Sequence, residues 1–236
     1  MIVNLGDFLF KYRNVAFPFL YVTLFLPCPL VTPVLAPWFY AIGVGIATLG
    51  QGLRVLTIGM DYIVRGGRDK KVYAHELVQT GLFAHCRNPL YLGNVFIIIG
   101  LGIAANSEVY LFGAVPLLLF FYVCIILAEE RFLRCKFGEN YTVYCERVRR
   151  IVPRLTGIKN TVGSHTFNSV RVIVKEYGTL YLWGVVNIGL LIKVRVVTNN
   201  QSLSLNELRG YVGIIFVMTV LYLSARVLKK SHRLNG

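Results

Sequence analysis

Six apolar blocks, each of membrane-span length or close to it, restrict the fold of this 236-residue chain more than any other feature. They are Val15 to Thr32, Trp38 to Met60, Leu90 to Ala105 (slightly short), Val109 to Ala128, Thr179 to Val197 and Gly210 to Leu228. Roughly 20 apolar residues carry a helix across the hydrocarbon core of a bilayer. The make-up agrees. Apolar residues are 56% and charged residues 15% of the chain, against about 45–50% and about 25% in a soluble domain. The expected fold is all-α, a polytopic transmembrane helical bundle of about six spans in an integral membrane protein.

Residues 1–14 are expected to lie at the interface. Pro18, Pro27 and Pro29 predict a kinked first span. The uncharged turn from Pro33 to Pro37 makes spans one and two antiparallel neighbours, with Trp38 and Tyr40 as interfacial anchors. Gly43, Gly45, Gly50 and Gly52 predict a small-residue packing face on span two. Arg54 lies inside that span. It either snorkels to the inner interface or meets an anionic group in a site.

The net charge of +14 does not point to nucleic acid, because the basic residues fall between and after apolar blocks. That distribution is the positive-inside pattern. It puts both termini on the cytoplasmic side of a cytoplasmic membrane or endomembrane, against the bias of Lys193, Arg195 and Arg209. No cleavage site follows the first block, which is expected to stay as an anchor. Five cysteines without a CxxC pair argue against a disulfide framework. His75, His85 and Cys86 lack a fourth ligand or helical spacing, so no metal site is expected.

Two polar stretches interrupt this pattern. His75 to Gly93 runs directly into span three, and Glu129-Glu130 closes span four. They are expected to meet and build one site. Arg87 is a fixed cation beside a stiffening proline. Asn88 and Tyr91 offer neutral hydrogen bonds, and Gly81 and Gly93 permit close approach. On residue chemistry alone, Arg87 can equally bind a lipid phosphate. One of the two adjacent acids is expected to face the bundle and the other water, or both simply to solvate a helix end. Glu129 to Arg150 reads as an amphipathic helix, or two broken at Gly138. Most of Arg147, Arg149, Arg150 and Arg154 read as a solvated or headgroup-binding face, with one able to clamp a carboxylate. Leu155 to Ser169 reads as a polar linker.

The order of motifs is a His, then Leu-Val-x-Thr-Gly-x-Phe, then Arg-Asn-Pro-Leu-Tyr-Leu-Gly, two spans, Glu-Glu, Phe-Gly-x-x-Tyr and a basic tail. It resembles the integral-membrane methyltransferases of the isoprenylcysteine carboxyl methyltransferase and phospholipid methyltransferase superfamily over about residues 40 to 155. The resemblance implies an S-adenosylmethionine site on the inner side. His75, Leu77, Val78, Gly81, Phe83, Asn88, Pro89, Tyr91 and Glu129 would bind the cofactor, and Arg87, Glu130 and Arg147 would form the catalytic set, with Arg147 helping to hold the acceptor. Phe83 stands where many members have Tyr. Asn88 stands where the family has His, and it cannot carry a proton near neutral pH.

The implied organisation is a methyltransferase core over 1–155 and a linker with a two-span extension over 156–236. Deletion after Arg154 is then expected to leave cofactor binding intact. The implied reaction is methyl transfer to a lipophilic or lipid substrate, either isoprenylcysteine-type carboxyl methylation, phospholipid N-methylation or thiol methylation. The partners are membrane lipids and no nucleic acid. The alternatives are an inactive membrane scaffold of the same fold, a nicotinamide-dependent membrane reductase, or a transporter, for which only Arg54 speaks.

Overall fold

The computed structural model describes residues 2–61, 72–199 and 202–231, with the backbone alone for 197–199. Eight α-helices appear among them and no strand: α1 (Ile2–Tyr21), α2 (Ala36–Met60), α3 (Pro89–Ala104), α4 (Val115–Phe137), α5 (Glu139–Arg147), α6 (Ile158–Ser164), α7 (Ser169–Asn199) and α8 (Leu205–Lys230). A π turn at Tyr110–Ala114 extends α4, and short 3-10 turns occupy Val22–Phe25 and Gly81–Ala84. Four of the helical stretches are long and apolar enough to cross a membrane: Ala36–Met60, Tyr110–Phe137, Ser169–Val196 and Leu205–Lys230. Pro89–Ala104 is a shorter apolar helix. The all-α polytopic bundle is therefore the observed fold.

The first helix differs from the span expected over Val15 to Thr32, and α1 is not among the stretches long and apolar enough to cross. α1 starts at Ile2, so residues 2–14 are helical rather than a separate interfacial start. Pro18 sits inside α1, but Pro27 and Pro29 lie beyond its end and do not kink it. A proline disfavours helix in the residue before it, and Leu26, directly before Pro27, is extended and closes the 3-10 turn Val22–Phe25 that follows α1.

α2 and α3 pack with their backbones almost in contact. A Cβ on Gly50 would stand 2.5 Å from the Gly93 carbonyl oxygen, and one on Gly100 would stand 2.5 Å from the Ala47 nitrogen. Gly43 and Gly50, seven residues apart, form this face. Gly45 and Gly52 look onto open space, so only half of the expected glycine stripe packs. Seven residues are nearly two helical turns, which returns Gly50, and not Gly45, to the side of Gly43.

α1 runs antiparallel to α4: Leu9 and Phe10 pack against Cys124 and Ile125, and Arg131 reaches Asp7 at 2.6 Å. On the far side of the bundle, Asn106 (φ 48°) receives the Leu30 and Val31 N–H groups on its side-chain oxygen, at 3.0 and 2.9 Å. There Lys193 donates to the carbonyls of Leu24, Leu26 and Ala105, and Arg195 pairs with Glu207 at 2.9 Å. These two cations, which run against the charge bias along the sequence, are thus spent on partners within the protein.

α7 lies antiparallel along α2. The Tyr40 hydroxyl donates to the Asn187 carbonyl at 3.2 Å, and further along Gln51 Nε2 donates to Glu176 Oε2 at 3.2 Å. The segment before α7 is not a free linker. It carries α6, Phe167 covers Gly59, and the Asn168 N–H donates to the Gly59 carbonyl at 2.9 Å. Contacts therefore run across the 155/156 boundary.

Candidate functional site

The loop before α3 and the tail after α4 are laced together through their backbones. The Arg87 N–H donates to the Arg149 carbonyl at 2.9 Å, and the Arg154 N–H donates to the His85 carbonyl at 2.9 Å. Asn88 Nδ2 donates to the Arg150 carbonyl at 3.1 Å. His85 is buried, with Nδ1 2.7 Å from the Arg154 carbonyl oxygen and Nε2 2.8 Å from Thr161 Oγ1. The Cys86 thiol donates to the Ile151 carbonyl at 3.1 Å. Burial pushes that thiol up from its ordinary pKa, which keeps it a neutral donor. His85 and Cys86 are thus fastenings of the tail. Among the described residues no group of three or more His, Cys, Asp or Glu could hold a metal ion.

α5 closes the floor. α4 ends at Gly138, whose φ of 54° favours glycine, and α5 restarts at Glu139. The expected break at Gly138 is therefore present. Tyr141, Tyr144 and Val148 bury together against Leu77, Leu133 and Phe137. The Tyr144 hydroxyl donates to the Phe83 carbonyl at 2.8 Å, and burial pushes this phenol above its ordinary range. Lys136 donates to the Ala74 carbonyl.

Between loop and tail lies a cavity of about 140 Å³. His75, Leu77, Val78, Phe83, Arg87, Asn88, Glu129 and Glu130 all line it, joined by Tyr73, Leu133, Tyr141 and Tyr144. The two polar stretches therefore meet. Arg87, Asn88, Phe83, Glu129, Tyr73 and Leu133 also line a second chamber of about 870 Å³ between α1, α2, α3, α4 and α7. Pro89 and Tyr91 line only this larger space.

Both acids of Glu129-Glu130 have inward partners. Glu129 Oε1 accepts from the Tyr91 hydroxyl at 2.7 Å. Glu130 takes a two-pronged clamp from Arg150, Nε to Oε1 at 3.0 Å and Nη2 to Oε2 at 2.8 Å, and its Oε1 lies 3.6 Å from Arg87 Nη1. The Glu130 hydrogen bond raises the Arg150 pKa and holds it charged. The expectation that one acid faces water fails, because α3 and the tail flank α4 on both sides and supply a donor to each. Arg87 Nη1 also contacts Cys145 Sγ, and Arg87 Nε is buried without a hydrogen-bond partner.

Two predicted site residues stand elsewhere. Gly81 lines neither cavity. Its φ is 53°, its N–H donates to His165 Nε2 at 3.1 Å, and a Cβ there would collide with Asp61; it shapes the turn. Arg147 is exposed, reaches Gln79 Oε1 at 3.4 Å and lines neither cavity. The carboxylate clamp expected of one of the four tail arginines is made by Arg150, whose place in the chain offers no signal that separates it from its basic neighbours. Tyr141 and Tyr144 are visible in sequence only as apolar positions of an amphipathic helix.

Arg54 does not snorkel. It is buried in an ion pair with Glu176 at 2.7 Å and also bonds Asn94. The anionic group it meets is a side chain of α7.

The class is thus a polytopic α-helical integral membrane protein in which a cavity between loop and tail shares lining residues with a mainly apolar chamber. Residues 38–140 match the model of the phospholipid methyltransferase family. The chain is 35% identical to the cobalt-zinc-cadmium resistance protein CzcN of Cupriavidus metallidurans over 117 residues, 49% of this chain and 48% of that protein. It is 31% identical to the protein-S-isoprenylcysteine O-methyltransferase of Xenopus laevis over 127 residues, 52% of this chain and 43% of that one. It is 32% identical to the nickel-cobalt-cadmium resistance protein NccN of Alcaligenes xylosoxydans xylosoxydans over 118 residues, 49% and 53% of the two chains. The chain spans about half the length of the curated relatives it matches. No solved structure matches it. Through the matched stretch the chain is similar to the phospholipid and isoprenylcysteine carboxyl methyltransferases.

Proposed function

We propose that the chain transfers a methyl group from S-adenosylmethionine to a lipophilic acceptor within the membrane. One observation carries this reading: a small cavity that gathers His75, Arg87, Glu129 and Glu130 among apolar side chains, and a large, mainly apolar chamber, share Phe83, Arg87, Asn88 and Glu129 as a common neck. A polar donor and a greasy acceptor must meet at one point from which water is excluded, and such a neck suits that meeting. When bound, the cofactor would supply a methyl group on a positively charged sulfur.

The residues present fit that group. Arg87 Nε is buried and unpartnered, which suits a carboxylate. Glu129 uses only Oε1 toward Tyr91, leaving an oxygen for a hydroxyl or ammonium. Leu77, Val78 and Phe83 offer apolar faces to a base, with His75 at the exposed rim. Glu130 has both oxygens engaged by Arg150 and one also near Arg87, so in this reading it positions Arg87 and is not itself a catalytic residue. A carboxylate or thiolate acceptor needs no base. An amine acceptor must first lose a proton, and Glu129 is the carboxylate at the neck. The Arg-rich tail beside the site supports a cytoplasmic placement of site and termini.

The test is incubation of membranes carrying the full chain with methyl-labelled S-adenosylmethionine, followed by counting of the organic extract. Label above that of membranes lacking the chain, and lost in Arg87→Ala, is the expected result. Equal label in all three would refute the reading.

A further inference from the structure

α1 packs on α4 and α7 packs on α2, and the large chamber lies between these two pairs. α1 and α7 draw together at the far end of the chamber, where Phe25 covers Gly189 and Lys193 donates to the Leu24 carbonyl. Nearer the neck, chamber-lining residues on both sides of the gap keep open surface. Asn14 and Pro18 are exposed, and Val22 and Leu182 are 63% and 64% exposed. Asn14, Pro18 and Val22 follow at four-residue steps and form one edge; Leu182 stands on the other. The chamber therefore opens sideways between α1 and α7. Because α1 lies along the spanning helix α4, that opening faces lipid. Neither α1 nor α7 belongs to the family-matched stretch 38–140.

Beside the opening stands Arg13. It lines the chamber, is half-buried, and stacks its guanidinium on the buried Phe10 ring at 4.2 Å. It makes no ion pair or hydrogen bond with the described residues. Its charge reaches Glu129, Tyr91 and Tyr122, which places the guanidinium on the chamber side of α1. Among the described residues, the charged side chains lining the chamber are Arg13, Arg54, Arg87 and Glu129. With the ion-pair partners Glu176, Glu130 and Arg150 added, one positive charge is left over. A cation held against apolar walls is costly without a partner, and a plain hydrocarbon in the opening would leave Arg13 as it is. An anionic head would pair with it through charge-assisted hydrogen bonds.

We propose that the gap between α1 and α7 binds a lipophile with an anionic head, the head on Arg13 and the chain running between Pro18 and Val22 on one side and Leu182 and Trp183 on the other. That this lipophile is the methyl acceptor rests on the methyl-transfer reading; that the gap binds it does not.

The chain passes a built-in reporter. Phe25 is twelve residues beyond Arg13, and Gly189, which it covers, is six beyond Trp183. At about 1.5 Å per residue, Trp183 lies on the order of 9 Å further from the neck than Arg13, beside the middle of a stearoyl chain. Trp38 is the other tryptophan of the chain, 69% exposed and lining neither cavity. The experiment places the full chain carrying Trp38→Phe in phosphatidylcholine nanodiscs. It measures quenching of Trp183 by stearate dibrominated at mid-chain and by the methyl ester of the same acid, at a mildly alkaline pH that keeps the acid ionised. S-adenosylhomocysteine binding is measured on the same samples. The acid should half-quench Trp183 at about ten-fold lower content in the disc than the ester, the size of one charge-assisted hydrogen bond. Arg13→Gln should bring the two curves together, and Arg13→Lys should keep most of the difference. Lys11→Gln removes an exposed cation of the same helix that lines neither cavity, and should keep all of it. Equal quenching by acid and ester without any charge variant would overturn the proposal, and this comparison stands even if Arg13→Gln fails to fold. A difference unchanged in folded Arg13→Gln, or lost equally in Lys11→Gln, would overturn it too. A difference retained without S-adenosylhomocysteine binding would uphold the lipophile site and sink the methyl-transfer reading alone.

Discussion

α7 and α8 are both long apolar helices able to span a membrane, yet they relate to the rest of the protein in opposite ways. In α7, Glu176 and Leu190 have no exposed surface and Val172, Val174 and Val194 are buried. In α8 no residue is buried, and Phe216 and Leu221 are 68% and 65% exposed. α8 leans on α7 through Tyr181–Thr219, the Tyr177–Tyr222 and Tyr181–Tyr222 ring contacts, and Met218 over Gly184. The difference lies in the mid-helix polar residues. α7 carries Glu176 and Asn187, and Gln51, Arg54 and Tyr40 of α2 meet that stretch. The charges of α8 sit near its ends, in the Ser204–Glu207 capping box and at Lys229 over Tyr177. Apolar surface facing lipid carries no penalty, so hydropathy locates a helix in the membrane; buried polar residues tell which side faces protein.

The largest contrast comes from truncation. A chain ending at Ser204 lacks α8 and should bind S-adenosylhomocysteine as the full chain does. A chain ending at Arg154 should lose that binding, because Arg54 loses Glu176, His85 loses Thr161 and the Gly81 turn loses His165. Equal binding by both would erase the distinction. Next in size, Glu176→Ala leaves Arg54 buried and unpaired and should cost about 3–5 kcal/mol. Arg54→Met with Glu176→Leu should recover most of it, as read by thermal unfolding in detergent. Gly50→Ala forces α2 from α3 and should cost about 1–3 kcal/mol, whereas Gly52→Ala, facing open space, should not lower the unfolding temperature. Smallest, Leu221→Ala on α8 should stay within about 0.5 kcal/mol. A large loss there would reveal a partner for that face.

What the sequence makes legible follows contact distance along the chain. Four of the six expected spans, the break at Gly138 and the meeting of the 75–93 loop with the acids after span four are readable because apolar length, a lone glycine and motif order are local signals. The fate of Arg54 is not, because its partner Glu176 lies 122 residues away and no periodicity links them. For the same reason Arg150 cannot be separated from Arg147, since which arginine reaches Glu130 depends on where the tail crosses the loop. The polar segment after Leu155 looks like a linker because its apolar content is low. Its role lies in hydrogen bonds to backbone and histidine, which composition does not register.

Titration calorimetry of S-adenosylhomocysteine into the purified full chain, with Arg87→Ala alongside, tests the central claim most directly. Micromolar binding in the wild type, weakened at least about ten-fold by the loss of one charge-assisted contact, is the predicted result. No heat from a folded, monodisperse wild type, or equal binding by the variant, would contradict a cofactor site where loop and tail meet.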